Sequence, residues 1–108
     1  MGKGYAVFSN GSTFTGDFVN DKPHGHGILT MGEEYYMGDF ENGAMQGDGL
    51  WKNGKGERYV GRWKNNKAHG QGIYITEKSN YQGHFNQFVK QGYGVESFTN
   101  GDQYIGYY

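Results

Sequence analysis

A five-residue pattern, aromatic-x-Gly-x-aromatic, returns along this chain at an almost constant interval. It begins at residues 14, 36, 59, 81 and 104, so the steps between successive starts are 22, 23, 22 and 23 residues. A second pattern, Gly-x-Gly, begins at residues 2, 25, 47, 70 and 92, and it follows each of the first four aromatic patterns by 11 residues. A fixed period with a fixed phase is typical of a repeat architecture, in which one small unit stacks on the next.

The sequence of each unit predicts two short strands, each followed by turn residues. Residues that tolerate a left-handed backbone follow the first strand of three units, at 20–21, 42–43 and 65–66. Asn-Gly pairs, a strong hairpin signal, follow the second strand at 10–11, 53–54 and 100–101. No segment has a 3.6-residue apolar period long enough for a helix. We therefore expect an all-β fold, an elongated single-layer antiparallel meander of about ten strands, which at roughly 4.8 Å per strand is about 45–50 Å long.

Glycine is the commonest residue, with 21 copies, although glycine inside a strand normally weakens it. The pairs expected across the hairpin of the second unit are Tyr36–Trp51, Gly38–Gly49 and Phe40–Gly47. In this arrangement the rings of one strand lie over the bare backbone of the next strand. Because a single-layer sheet has no second layer, we expect its rings and glycines to form its core. The predicted structural rows are Phe14, Gly16, Phe18, Tyr36, Gly38, Phe40, Tyr59, Gly61, Trp63, Tyr81, Gly83, Phe85, Tyr104, Gly106 and Tyr108.

A second apolar row, formed by Ile28, Leu50, Ile73 and Val95, alternates onto the opposite face of the predicted sheet. The alternation of the unit length between 22 and 23 residues is difficult to combine with fixed faces, because a one-residue change reverses every side chain. Bulges after the second strands would reconcile the two observations. The sequence leaves the register at those points open.

The repeated residues resemble the MORN repeat, whose pattern is roughly Tyr-x-Gly-x-Trp, then Asn-Gly, then His-Gly-x-Gly. Residues 59–75, YVGRWKNNKAHGQGIYI, match this pattern nearly residue by residue. The resemblance covers the whole chain as a half unit over residues 1–13, four full units that start near 14, 36, 59 and 81, and a final half unit from 104. We therefore expect residues 1–108 to be a single MORN-repeat array that is part of a longer protein.

Two positions depart from the MORN pattern. The histidine position holds His24 and His69 in two units, but Gln46 and Gln91 in the other two. In the fourth unit Phe88 stands where the turn would usually have glycine.

The resemblance implies a binding or spacing role. Proteins with MORN repeats include junctophilins at membrane contacts, radial spoke head proteins of cilia, plant phosphoinositide kinases, a histone methyltransferase and protist cytoskeletal scaffolds. The leading expectation is a non-catalytic scaffold or adaptor that mediates protein–protein interaction in a larger, cytoskeletal or ciliary, assembly. The alternatives are a membrane- or phosphoinositide-contacting module and a regulatory repeat segment of an enzyme such as a lipid kinase.

The residues themselves do not indicate an enzyme, a cofactor site or a metal site. The nearest metal candidate is the pair His24 and His26, but a third ligand is missing, because His69 is expected roughly 19 Å away across the sheet. For His24 a hydrogen bond that supports a turn is the simpler interpretation. The Gly-x-Gly pairs lack the helix and the Gly-Lys-Ser/Thr sequence of a phosphate loop.

Composition limits the kinds of partner and the cellular location that we expect for this chain. The net charge of −1 argues against nucleic acid. The chain has no cysteine, no apolar run long enough for a membrane span and no apparent signal peptide, which favours a cytoplasmic protein. By resemblance it would be associated with the cytoskeleton or a cilium, or peripherally with a membrane. The expected partners are another protein or a second copy that pairs through the sheet edges.

Charge is the one feature that goes beyond the repeat. Residues 1–51 carry a net charge of −5 and residues 52–67 a net charge of +5. The candidate basic docking patch consists of Lys52, Lys55, Arg58, Arg62, Lys64 and Lys67. Three interpretations remain open at this point: a solvated rim, a docking site for an acidic protein or an anionic lipid headgroup, and head-to-tail pairing of two copies through opposite charges.

Overall fold

A computed structural model describes residues 2–108 as one sheet in which every strand pairs antiparallel with its neighbour in the sequence. The ten strands are β1 (Gly2–Val7), β2 (Thr13–Val19), β3 (Lys22–Met31), β4 (Glu34–Glu41), β5 (Ala44–Lys52), β6 (Arg58–Lys64), β7 (Lys67–Ile75), β8 (Ser79–Asn86), β9 (Val89–Phe98) and β10 (Gln103–Tyr107). The longest dimension is 47 Å, as the strand count predicts. The all-β, single-layer meander expected from the sequence is confirmed.

The two strands of each full unit are joined by a two-residue turn, at 20–21, 42–43, 65–66 and 87–88. Both central residues have positive φ in every turn, between 50° and 87°. This is the geometry of a type I′ turn, whose twist matches that of the flanking strands. The fourth turn keeps this geometry at Gln87 and Phe88, although neither residue favours the left-handed region.

The extra residue of the longer units lies in the loops that follow the second strands. Only residues 32–33 separate β3 from β4, whereas residues 53–57 separate β5 from β6. The pairing is nevertheless equivalent, because Phe40 pairs with Gly25 and Trp63 pairs with Gly47 without a register shift. No bulge is therefore needed at this point, and side chains keep their faces. The Asn-Gly pair at 53–54 lies within this longer loop and does not form a two-residue turn of its own.

The bulges lie instead inside each unit, between its first and second strands. In the second unit Gly38 pairs with Gly49 but Phe40 pairs with Met45, so a single residue, Asp39, lies opposite residues 46–48. The shift is by two residues, which preserves the faces. The second residue of the three, Gly47, has a φ of 90°, and the Asp39 carboxylate accepts the next backbone N–H at 3.1 Å.

The expected pairing is thus partly right. Tyr36 pairs with Trp51 and Gly38 with Gly49, as predicted. The predicted Phe40–Gly47 pair is wrong, because the bulge intervenes, and Phe40 meets the equivalent glycine of the preceding unit, Gly25.

The core is a continuous zigzag of edge-to-face rings on one face of the sheet, which we call the ring face. Each first ring of a unit contacts the second ring of its own unit and the second ring of the next unit. Successive centroids are 4.9–5.4 Å apart and successive planes are inclined by 80–89°, the geometry that aromatic pairs prefer. The chain of rings runs through Phe18, Phe14, Phe40, Tyr36, Trp63, Tyr59, Phe85, Tyr81, Tyr108 and Tyr104. These are the ten aromatic residues of the predicted rows, but Tyr104 and Tyr108, at the end of the zigzag, are exposed and lie outside the buried core.

Glycine is required at the two positions of each Gly-x-Gly pattern for different physical reasons. The first, such as Gly47, adopts a left-handed backbone at the bulge. The second lies under a ring: a Cβ added to Gly94 would be 2.6 Å from the Tyr81 ring, and one added to Gly72 would overlap the ring of Tyr59. The predicted arrangement, with rings over bare backbone, is therefore present in the structure.

Gly72→Ala tests this arrangement. The added methyl group would collide with the buried Tyr59 ring, and overpacking of this kind costs about 1–3 kcal/mol in the free energy of unfolding. Urea denaturation measures the loss. The matched control is Gln71→Ala, at the exposed neighbour on the opposite face, which we expect to change stability by less than about 0.5 kcal/mol. Equal effects of the two substitutions would contradict the proposed use of glycine.

Candidate functional site

The ring face has two depressions that follow one another along the sheet. One is about 400 Å³ in volume and is lined by Glu34, Trp51, Tyr59, Tyr74, Phe85 and Phe88. The other, of about 650 Å³, has an apolar floor of Leu29, Met31, Phe40 and Met45, with side walls from the turn at 42–43 and residues 8–10. We call the two depressions together the aromatic groove.

The floor of the groove follows from strand pairing. Leu29, Trp51 and Tyr74 occupy equivalent positions on β3, β5 and β7, where each faces the first ring of a unit across a strand pair. They are packed against the core but remain partly exposed. The indole N–H of Trp51 donates to the Glu34 carboxylate at 3.0 Å, which fixes the ring in the groove.

Phe88 forms one wall of the groove. Its ring centroid is 5.5 Å from that of Trp63, and the residue is 51% exposed. The sequence marks Phe88 only as a departure from the repeat at a turn. The structure shows that this departure places a large apolar side chain at the rim of a depression.

Beside the groove, on β9, Lys90 and Glu96 replace apolar residues, and Lys90 pairs with Phe85, which lines the first depression. The Lys90 ammonium lies 3.1 Å from both carboxylate oxygens of Glu96. Glu96 also accepts hydrogen bonds from the hydroxyl groups of Ser79 and Tyr108, at 2.7 and 2.9 Å. Burial acts to raise the pKa of Glu96, but these hydrogen bonds outweigh it and hold the pKa below its usual range.

The turn-supporting role predicted for His24 is confirmed. Its Nδ1 accepts the backbone N–H of Asn42 at 3.3 Å, and in the next unit Gln46 accepts that of Asn65 at 3.0 Å. Both contacts brace the turn of the following unit. His26 instead contacts the Asp39 carboxylate at 2.6 Å. Within residues 2–108, no group of three or more potential ligands is placed to hold a metal ion.

The repeat geometry and the braced turns agree with a comparison against protein families. A family model described as MORN repeat matches residues 14–32, 36–50, 59–79 and 81–103, which together exceed half of the chain. The chain belongs to the MORN-repeat family. A comparison with curated proteins gives no match. Across the described part of the chain, no helix has the length and apolar character to cross a bilayer.

The predicted basic residues of this MORN array lie around β5, β6 and β7. All except Lys55, which is in the loop at 53–57, lie on the face opposite the rings, as strand alternation and register require. They form a stripe and not a compact cluster, because Arg58 and Lys64 are six residues apart on one strand, or about 20 Å. Arg62 is engaged, with its Nε 3.2 Å from a carboxylate oxygen of Asp48. We call the five residues other than Lys55 the basic stripe.

The second apolar row is also on this opposite face, as predicted. Adjacent strands add Met37 and Val60 to it, so Ile28, Met37, Leu50, Val60 and Ile73 are paired in succession across β3 to β7. The sequence pattern missed these two because they sit between the aromatic and glycine residues of the first strands. The opposite face therefore combines an apolar row with the basic stripe.

The tyrosines at the first ring position donate hydrogen bonds to backbone carbonyl groups at the bulge. The hydroxyl groups of Tyr36, Tyr59 and Tyr81 donate to the carbonyl three residues further on, at 2.8–3.0 Å. Burial raises the pKa of Tyr59 to about 12, and it raises the pKa of Tyr36 further still. Both residues are therefore held in the neutral form at ordinary pH.

This predicts alkaline destabilisation. Because the folded-state pKa of Tyr59 lies above the ordinary value of 10.0, its contribution is complete below pH 10 and is lost as pH rises towards about 12. Tyr59→Phe should cost about 0.5–1.5 kcal/mol at neutral pH, because a hydrogen bond is lost, and should make the alkaline decrease smaller. Urea unfolding at pH 8 and pH 11 measures both effects. Tyr5→Phe, at an exposed tyrosine, is the control. An unchanged alkaline decrease in Tyr59→Phe would contradict the prediction.

Proposed function

We propose that this MORN array is a non-catalytic scaffold or adaptor that binds a partner protein in the aromatic groove. The observation that carries the proposal is the exposure of Phe88 and the partial exposure of Trp51 and Tyr74 above a fully packed ring core. Large exposed apolar patches in a depression mark interaction sites. Tryptophan and tyrosine are also the residues that most often dominate binding energy.

The chemistry of the groove indicates the kind of partner. Its floor is apolar, and its second depression also has polar residues at the side, such as Asp21 and Asn42. Glu34 is already engaged with Trp51, and Glu96 beside the groove is engaged with Lys90. A peptide segment that inserts apolar side chains along the groove would bury surface without leaving these groups unpaired. Membership of the MORN family supports the wider proposal of a cytoplasmic role in a larger cytoskeletal or ciliary assembly.

Phe88→Asp tests the groove. The change puts a charge on its apolar wall, while aspartate tolerates the left-handed backbone at this turn position better than phenylalanine does. Peptides selected from a random library for binding to the unsubstituted chain are then titrated against the variant by fluorescence anisotropy. We expect binding to weaken by more than about tenfold, the loss of one buried aromatic contact.

Gln87→Asp is the matched control, because it adds the same charge at the exposed neighbouring position of the same turn. It should leave the affinity of the selected peptides within about twofold. Peptides that lose affinity equally with both substitutions, or with neither, would exclude the groove as the binding site.

The basic stripe favours a second candidate function, contact with an anionic membrane surface. Lys64 and Lys67 are paired at one end of the stripe and are both exposed, so they are free to meet lipid headgroups. Basic residues close to an anionic surface contribute about 1 kcal/mol each. A membrane-contacting role would use the face opposite the groove.

Flotation with phosphoinositide-containing liposomes tests this candidate. Lys64→Glu combined with Lys67→Glu should abolish flotation, and salt should weaken it, because exposed charges are screened over about 8 Å at physiological ionic strength. The control pair is Lys22→Glu with Lys78→Glu, the same change at exposed lysines outside the stripe. Absence of flotation by the unsubstituted chain would eliminate the membrane function and leave the groove proposal untouched.

A further inference from the structure

The fourth unit differs from the others at two positions that face the rings. Across the hairpins, the first ring meets Leu29, Trp51 or Tyr74 in the first three units, but it meets Glu96 in the fourth. The second ring meets Pro23, Met45 or Ala68, but in the fourth unit it meets Lys90. Two apolar positions have therefore become an acid and a base in the same unit.

Glu96 is the better buried member of the pair. It is 7% exposed, and its carboxylate accepts from Lys90, Ser79 and Tyr108. A carboxylate at such a position is costly unless a cation and hydrogen bonds compensate it. The residues around Glu96 thus enclose a carboxylate whose negative charge requires a neighbouring positive charge.

Lys90 is the cation and is also held by rings. Its ammonium nitrogen lies 5.3 Å from the Tyr81 ring centroid and 5.8 Å from that of Tyr108, within the range of cation–π attraction. Its side chain is 32% exposed, against 10% for that of Glu96. The lysine head therefore fills the open side of a site whose fixed walls are one carboxylate and two ring faces.

We propose that Glu96, Tyr81 and Tyr108 form a binding site for a primary alkylammonium group, which Lys90 fills in cis and which takes a lysine side chain of a partner in exchange. A carboxylate combined with aromatic faces is the chemistry that recognises an ammonium group. The site lies beside the aromatic groove, because Lys90 pairs with Phe85 of the groove lining, so the exchange with a partner lysine rests on the proposed function. The binding of an alkylammonium group as such does not.

The third unit has a small residue at the position that Lys90 occupies in the fourth. Ala68 occupies the equivalent position in the third unit, where it pairs with Trp63 and is fully buried. Lys90→Ala therefore introduces a side chain that this position of the repeat already accommodates. The substitution leaves Glu96 without its cation and opens the site to an added amine.

Binding of n-butylammonium to Lys90→Ala tests the proposal. Chemical shift changes in the protein and the rise in Tm should both saturate as the amine is added. The apparent affinity should be at least about tenfold higher than for the unsubstituted chain, where Lys90 competes at a millimolar or higher effective concentration. Nα-acetyl-lysine methylamide should bind at least as well as n-butylammonium, which would show that the site accepts a lysine side chain within a peptide.

Two controls make the test specific. Neutral n-butanol should not stabilise Lys90→Ala, and the added substitution Glu96→Gln should abolish the effect of n-butylammonium. Equal effects of n-butanol and the amine, or equal affinity of the amine for Lys90→Ala and the unsubstituted chain, would overturn the proposal. If Lys90→Ala does not unfold cooperatively, the test is whether the amine, but not n-butanol, restores cooperative unfolding. Restoration by the amine supports the site, and failure of the amine to restore it overturns the proposal. Neither outcome depends on a partner in the groove.

Discussion

The contact between an aromatic ring and the bare backbone of a paired glycine governs this structure. A one-layer sheet has no second layer against which to bury side chains, so its rings must pack against the backbone of its own strands and against each other. Tyr36, Tyr59 and Tyr81 do so, and each becomes almost completely buried. The second glycine of each Gly-x-Gly provides the space, and the first provides the backbone geometry of the bulge that brings the tyrosine hydroxyl to a carbonyl.

Much of this fold was predictable because local chemistry and repetition act together. The period located the strands, the turn residues located the hairpins within the units, and eight of the ten repeated rings lie in the core or pack against it, whereas Tyr104 and Tyr108 at the end of the row are exposed. The sequence could not place the bulge, because a shift by two residues leaves the alternation of faces unchanged. It also could not assign the alternating unit length to the loops, because a loop residue and a bulge residue look alike in one sequence.

The candidate sites were less predictable than the core. The basic stripe was visible as a charge run, but its spread along one face depends on register, as does the pairing of Arg62 with Asp48. Phe88 was visible only as an irregularity. Lys90 and Glu96 could be found in the sequence only by comparison of equivalent positions across the units, and the contact between the two side chains depends on the strand pairing.

The equivalent pairing on either side of the loops has a consequence for length. Since the loops absorb the extra residue, every unit contributes the same two strands, and each unit adds about 9.6 Å at the usual strand spacing. The contacts of existing units do not change when another is stacked beside them, apart from those at the joining edge. The number of units therefore sets the length of the sheet, and adding or removing a hairpin unit would change that length in fixed steps.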